Sequence, residues 1–225
     1  MSKGICVSLF DYTGVMLAPW RDAGYLCYNF DIQHDPNKQR KRDGMVFCHM
    51  DLLKEIPTFQ QPYDIKFVSA FPPCDHLAVS GARWFRGKGL HKLAESIKLF
   101  AVAAEYCEMS GAPYMIENPV STISTYWRKP DHTFDPYEYG GYIEHEDATH
   151  PQYPEYITAY DAYPKKTCLW VGGGFIMPST KPVNVGDGYS TQHQKLGGKS
   201  MKTKNIRSAT PRGFAKAVFE ANHND

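Results

Sequence analysis

The sequence predicts an α/β protein with an open, mostly parallel sheet and helices on both of its faces. Three observations lead there. Short apolar runs rich in β-formers alternate with segments of helical character, as in strand–helix–strand units. The runs end in polar or acidic residues, at 11–14, 31, 51, 74–76 and 117–118. Sheets of this kind bind ligands beyond the carboxyl ends of their strands, where those residues gather. Hydrophobic residues make up 42% of the 225, enough to cover both faces of a sheet in one domain spanning 1–225.

The elements follow in order. GICVSLF (4–10) is an apolar run that breaks at DYTG, a strand and then a turn. VMLAPWRDAG (15–24) fits a short helix closed by Gly24, with Pro19 held to its first turn. YLCYNFD (25–31) and MVFCHMD (45–51) are strands that each end in an acid, separated by a polar loop, QHDPNKQRKRDG (33–44). DIKFVSAF (64–71) is a fourth strand, and Cys74 lies just past its end. HKLAESIKLFAVAAEYCEMSG (91–111) is the clearest helix: Leu93, Ile97, Phe100, Ala101 and Ala104 recur at helical spacing, and Gly111 closes it. PYMIENP (113–119) is a fifth strand. From 120 to 164 the Tyr, Pro, His and acidic residues follow no period, which predicts loops and short pieces over the ligand edge. KKTCLWVGG (165–173) is a further strand, and 178–205 is a Gly-, Ser-, Lys- and Pro-rich loop. TPRGFAKAVFEAN (210–222) is a last helix, with Thr210 as N-cap and Pro211 at its first position.

Composition excludes several classes. A net charge of +1 with 22% charged residues argues against a general polyanion binder, although QRKR (39–42) and KSMKTKNIR (199–207) are local basic patches suited to phosphates. The six cysteines, Cys6, Cys27, Cys48, Cys74, Cys107 and Cys168, are widely spaced and form no CxxC pair, so neither a disulfide framework nor a zinc site is expected. HEDATH (145–150), with His132, reads as a polar loop, and no metal is expected. No apolar run approaches the roughly 20 residues that span a bilayer. MSKGICVSLF carries no signal-peptide pattern, and the expectation is a soluble, reduced, cytoplasmic protein. Aromatic residues are 14% of the chain, and such rings fill cores or stack on bases. Trp20, Trp84 and Trp170 read as packing residues; Trp84, in SGARWF, is also placed to belong to a mobile lid.

Two groups of residues carry chemistry. The first is the turn Phe10, Asp11, Tyr12, Thr13 and Gly14, with Asp31, Ile32 and Asp51. An acid ending the second strand suits a ribose diol, and one ending the third can accept from an adenine amino group. No GxGxxG or GxxxxGK[ST] is present to cradle a pyrophosphate or triphosphate, so S-adenosylmethionine is the better candidate cofactor. The second group is Pro72, Pro73 and Cys74 with Glu117, Asn118 and Pro119. A thiolate on a stiff loop can add to C6 of a pyrimidine, which makes C5 carbanion-like and able to take up a methyl group. Glu117 would protonate or hydrogen-bond N3, and Asn118 would hold the loop. A packed thiol and an exposed loop acid are the plainer alternative; the two features at neighbouring strand ends favour the chemical one.

With these residues in place, the chain resembles the C5-cytosine DNA methyltransferases, particularly their small phage-type members. The resemblance runs in one order along most of the sequence. LFDYTG (9–14) is similar to the family's cofactor turn, FDIQ (30–33) and MD (50–51) to its ribose and adenine contacts, and FPPC (71–74) to its nucleophile loop. IENP (116–119) is similar to its Glu-Asn-Val element, KKTCLWVGG to its basic element and following strand, and IRSATPRGFAKAV (206–218) to its C-terminal helix. Tyr12 stands where the turn has a glycine, Lys165 and Thr167 where arginines are usual, and Ser208 where an asparagine is usual.

The resemblance implies a Rossmann-like methyltransferase fold and a covalent Cys74–C6 adduct. Glu117, Asn118, Lys165 and Lys166 would assist it. Pro72 and Ser208 would join the cofactor contacts, and Pro73, Asp75, His76, Ser80, Arg83, Lys199 and Lys202 would face the substrate. The gap between the KKTCLW strand and the last helix, where the family's target-recognition domain would normally lie, is too short for it, so 120–164 and 178–205 would have to take its place. Three readings stay open: methylation of cytosine in DNA, which requires the base to leave the stack; C5 modification of a free pyrimidine nucleotide such as dCMP; and a catalytically silent nucleotide- or DNA-binding protein.

Overall fold

The computed structural model describes residues 3–42, 44–59, 64–186, 192, 195–197 and 200–223. Among them, eight strands form one sheet: β1 (Ile5–Leu9), β2 (Leu26–Asp31), β3 (Arg40–Arg42), β4 (Met45–His49), β5 (Ile65–Ala70), β6 (Tyr114–Pro119), β7 (His132–Phe134) and β8 (Thr167–Gly172). Their order is β3-β4-β2-β1-β5-β6-β8-β7. The run β4-β2-β1-β5-β6 is parallel. β3 and β8 are antiparallel to β4 and β6, and β7 is antiparallel to β8. The sheet is therefore mixed and mostly parallel, compatible with a Rossmann-like arrangement. The chain runs from β1 to β2 on one side and later takes up β5 on the other, so the strand order reverses at β1/β5, the position where sheets of this kind form their ligand crevice.

The helices are α1 (Ala18–Asp22), α2 (Phe85–Lys88), α3 (Leu90–Ser110), α4 (Ile123–Tyr126), α5 (Met201–Arg207) and α6 (Arg212–Asn222). Strand side chains alternate between two cores, as a buried sheet requires. Ile5, Val7, Leu9, Val68, Ile116 and Trp170 pack with Phe100, Ala103 and Cys107 of α3. Cys6, Cys27, Phe67, Met115 and Leu169 face the other way, with Trp20 of α1 and Phe214, Ala217 and Val218 of α6. Trp20 stacks on Phe67 at 4.8 Å, and Phe214 on Phe134 at 3.9 Å. The long helix matches its periodicity and ends at Gly111, whose φ of +66° a side chain would resist. α1 is shorter than the 15–24 expected, because Pro19 fits only its first turn.

Three segments differ from expectation. The polar stretch 33–44 carries β3, which pairs with β4 and places the Arg40 guanidinium over the Phe47 ring at 4.9 Å. An edge strand needs one backbone partner and no apolar alternation, which is why a basic run can form it. The expected loop 178–205 carries the start of α5, capped where Ser200 Oγ accepts from the Thr203 N–H at 3.1 Å. Within 120–164, short 3₁₀ turns and β7 pack as core. Tyr139 and Tyr142 lie against α6, and Tyr163 is buried. The approach is close enough that a Cβ at Gly213 would sit 2.2 Å from the Tyr139 carbonyl oxygen.

Candidate active site

β1 leaves the sheet through Phe10, which has a φ of +57°. Few bulky residues adopt that conformation, and strain of this sort collects where a backbone must be aimed. The turn that follows is built by Asp11, 3% exposed. Its Oδ1 accepts from the backbone N–H groups of Thr13 at 2.9 Å and Gly14 at 2.8 Å and from the Thr13 hydroxyl at 3.1 Å. Its Oδ2 accepts from Ser8 Oγ at 2.9 Å, and Ser8 in turn accepts from Ser69 Oγ at 2.8 Å. This buried Ser69–Ser8–Asp11 chain ties β5 to the turn. Asp11 therefore shapes the turn with its carboxylate already engaged. Gly14, at φ +72°, lets the turn press on β4; a Cβ there would lie 2.9 Å from Met45 Sδ. Tyr12, half-exposed, stacks on His34 at 5.4 Å, and His34 Nε2 lies 3.3 Å from the Asp11 carbonyl oxygen. Burial pulls the His34 imidazole down, favouring its neutral form.

Asp31 ends β2 beside this turn. It is 7% exposed, and its Oδ1 accepts from the Gln33 N–H at 2.7 Å. A carboxylate has further acceptor sites, so the group retains the capacity to hold a diol. Burial raises its pKa against that hydrogen bond. Ile32, next to it, is 59% exposed, an apolar surface unusual beside a buried acid. Asp51 follows β4 and is engaged differently: it accepts from the Leu53 N–H at 3.2 Å and pairs with Lys54 at 2.8 Å. The ion pair holds its carboxyl below the usual range.

The second group assembles one strand further along. Phe71 N–H bonds the Leu9 carbonyl, which keeps the chain after β5 against β1. Asn118, 1% exposed, donates from Nδ2 to the Pro72 carbonyl at 2.8 Å, and so fixes the loop that carries Cys74. Leu77 and Ala78 donate to the Cys74 carbonyl at 3.0 and 2.8 Å, turning the loop sharply after the sulfur. Register then decides which face each side chain takes. Glu117 opposes Leu169 and Asn118 opposes Cys168, so Asn118 faces the α3 side and Glu117 the α6 side. Glu117 joins Lys165, Phe71, Thr210, Pro211 and Phe214 around a small cavity. Its Oε1 is buried and has no hydrogen-bond partner among the described residues.

The electrostatics tie the three side chains together. Burial first, then the charges of Glu117 and Asp75, push the Cys74 thiol up to about 11, and Lys165 opposes them. Burial likewise raises the Glu117 carboxyl, and Lys165 again opposes. Lys165 lines the same cavity as Glu117, and its charge acts on both groups. Lys166 is exposed and acts on Asp135 and Cys168 instead.

Of the other expected contacts, Pro72 is buried and Pro73 exposed. Asp75 is held by Lys204 at 2.7 Å and its carbonyl by Lys88. His76 is half-buried and lines a surface pocket with Phe85 and Leu90, and burial pulls its pKa down. Ser80 and Arg83 are exposed, with Arg83 over the Trp84 ring. Ser208 is the exposed C-cap of α5, and Lys202 is exposed on the same helix; Lys199 lies outside the described residues.

Sequence reasoning missed Ser8, Ser69 and Asp161. Asp161, 1% exposed, accepts from the Arg212 N–H at 2.6 Å, so a residue fifty positions away caps the last helix. No local sequence pattern marks such a cap, because its two members lie 51 residues apart.

Among the described residues, no cluster of His, Cys, Asp and Glu has a metal-binding arrangement, and no helix is long and apolar enough to cross a membrane. The chain matches no protein-family model, and none of the curated proteins compared with it matches either.

Proposed function

We propose that the protein is an S-adenosylmethionine-dependent enzyme that methylates C5 of a pyrimidine, with cytosine in DNA as the leading substrate. The observation that carries this reading is the meeting of Cys74, Glu117 and Lys165 at the carboxyl edge of the sheet, beside the β1/β5 crevice. A buried carboxyl oxygen with no partner among the described residues points to a ligand that supplies one. The crevice fits a nucleoside cofactor in two respects: a buried acid at the end of β2 for the ribose, and the exposed Ile32 beside it for an adenine face.

In this reading Cys74 adds to C6 of the base. Glu117 in its neutral form donates a proton to N3, so the negative charge built up by the addition is neutralised. A neutral Glu117 also ceases to oppose the thiolate, so one protonation serves both steps. Lys165 lies on the same face and stabilises the thiolate and the developing charge. Asn118 keeps the sulfur aimed by holding the Pro72 carbonyl. S-adenosylmethionine, when bound, supplies the electrophilic methyl group that C5 takes up. The C5 proton then passes to solvent, N3 returns its proton to the Glu117 carboxylate, and expulsion of the Cys74 thiolate restores the ring.

A second reading, C5 modification of a free pyrimidine nucleotide, is favoured by the 134–163 segment. Its Tyr139, Tyr142 and Tyr163 are buried in the protein core and do not form a separate recognition surface. One experiment tests both. The protein is given labelled S-adenosylmethionine with duplex DNA, single-stranded DNA or dCMP, each plain and with 5-fluorocytosine. Fluorine at C5 blocks proton loss, so a covalent adduct on Cys74 is expected with the true substrate and none with Cys74→Ser. An adduct on another cysteine, or full activity in Cys74→Ser, refutes the assignment.

A further inference from the structure

α5 lies across the cleft and touches both of its sides. From this helix Asn205 Nδ2 donates to Gln33 Oε1 at 3.2 Å, beside Asp31. One residue earlier, Lys204 Nζ meets Asp75 Oδ2 at 2.7 Å, beside Cys74. These contacts join positions 172 and 129 residues apart in the chain. Asp75 is also held from a second element, because Lys88, at the end of α2, donates to its carbonyl.

We propose that Lys204 is a positioning residue for the nucleophile: it reaches across the cleft, neutralises Asp75, and so sets the charge that Cys74 faces. The inference rests on the reading of Cys74 as the reactive thiol, but its test needs neither cofactor nor substrate. Among the described residues, the charges that act on the sulfur include Glu117 from β6, Asp75 from the loop itself and Lys165 from the segment before β8. Glu117 and Lys165 bear on Cys74 from the α6 side of the sheet. Of these, Asp75 has its charge answered by Lys204 of α5. Both members of that pair are about half-exposed, at 45% and 46%, so the pair does little for stability and is broken without unfolding the chain.

The experiment is alkylation of Cys74 by iodoacetamide as a function of pH, followed by mass spectrometry of the Cys74 peptide in the full-length protein. The midpoint of the profile reports the thiol, and its plateau reports access. Lys204→Met and Asp75→Asn break the same ion pair. If the pair were only a structural tie, both would move the midpoint in one direction or not at all. Control by charge requires opposite shifts. Lys204→Met leaves Asp75 uncompensated and moves the midpoint up, and Asp75→Asn removes the charge and moves it down, each by about half a pH unit or more. The double variant should match Asp75→Asn, and Lys204→Arg should match the wild type. At 1 M salt the Lys204→Met shift should shrink, because an exposed charge is screened within about 3 Å. Shifts of the same sign, or no shift in Lys204→Met, overturn the proposal. They do so even if the labelled-methyl experiment succeeds. Opposite shifts stand even if no methyl transfer is found.

Discussion

Glu117→Gln should make the protein more stable at pH 8 while removing most of its activity. Among the described residues, Glu117 Oε1 is buried without a hydrogen-bond partner, and Lys165 is the opposite charge that acts on the carboxyl. An unsatisfied buried polar atom costs about 1–3 kcal/mol, and more when charged. Replacing the carboxylate by a neutral amide relieves the charge but leaves Lys165 without its partner, so the net gain is about 1 kcal/mol. For a chain of this size that raises Tm by roughly 2–4 °C. The pH dependence follows from the raised pKa. The unfolded carboxyl ionises near 4.5, and the folded one only at higher pH. The stability that Glu117 contributes is complete below the unfolded value and is lost as pH rises through the folded one. The wild type should lose this increment between about pH 4.5 and the raised folded value, and Glu117→Gln should not. Thermal and urea denaturation at pH 4.5 and pH 8 measure it: the two proteins should converge at the lower pH and separate at the higher. Activity should move the other way, falling about 10²–10⁴-fold for loss of an acid that protonates N3. A Gln variant less stable than wild type at pH 8, or a stability gap equal at both pH values, would refute the picture of an uncompensated buried acid.

Two further outcomes are expected. Asp31→Ala should weaken S-adenosylhomocysteine binding tenfold or more in calorimetry, since a hydrogen bond to a charged group contributes roughly 1.5–3 kcal/mol; unchanged affinity removes Asp31 from the cofactor site. Gly213→Ala should lower stability by about 1–3 kcal/mol, because its Cβ would meet the Tyr139 carbonyl and force α6 away from the 134–142 segment; an unchanged urea midpoint would show that this contact is looser than described.

Much of the frame was legible in the sequence because it rests on local pattern. Apolar runs such as GICVSLF and DIKFVSAF have one strand-like reading, and the Leu93–Ile97–Phe100–Ala104 spacing with Gly111 has one helical reading. The acid at the end of β2 and the PPC and EN pairs were visible because strand ends fall where apolar runs stop. Partners were not visible, because a periodic pattern tells which face a residue takes and not what it meets. The basic run at Arg40–Arg42 became a strand only because β4 offered it an edge. Asp161 reaches the last helix, and Lys204 reaches Asp75, through contacts far apart in the chain. Both Lys165 and Lys166 were catalytic candidates in sequence, Lys165 at the arginine position and Lys166 as a compensating charge. Packing just before β8 separated them: Lys165 lines the cavity with Glu117, and Lys166 is exposed. The sequence by itself determined which residue types stand at the strand ends. The tertiary structure decided which of them share a face, because register is set by the packing of the whole sheet and not by any one strand.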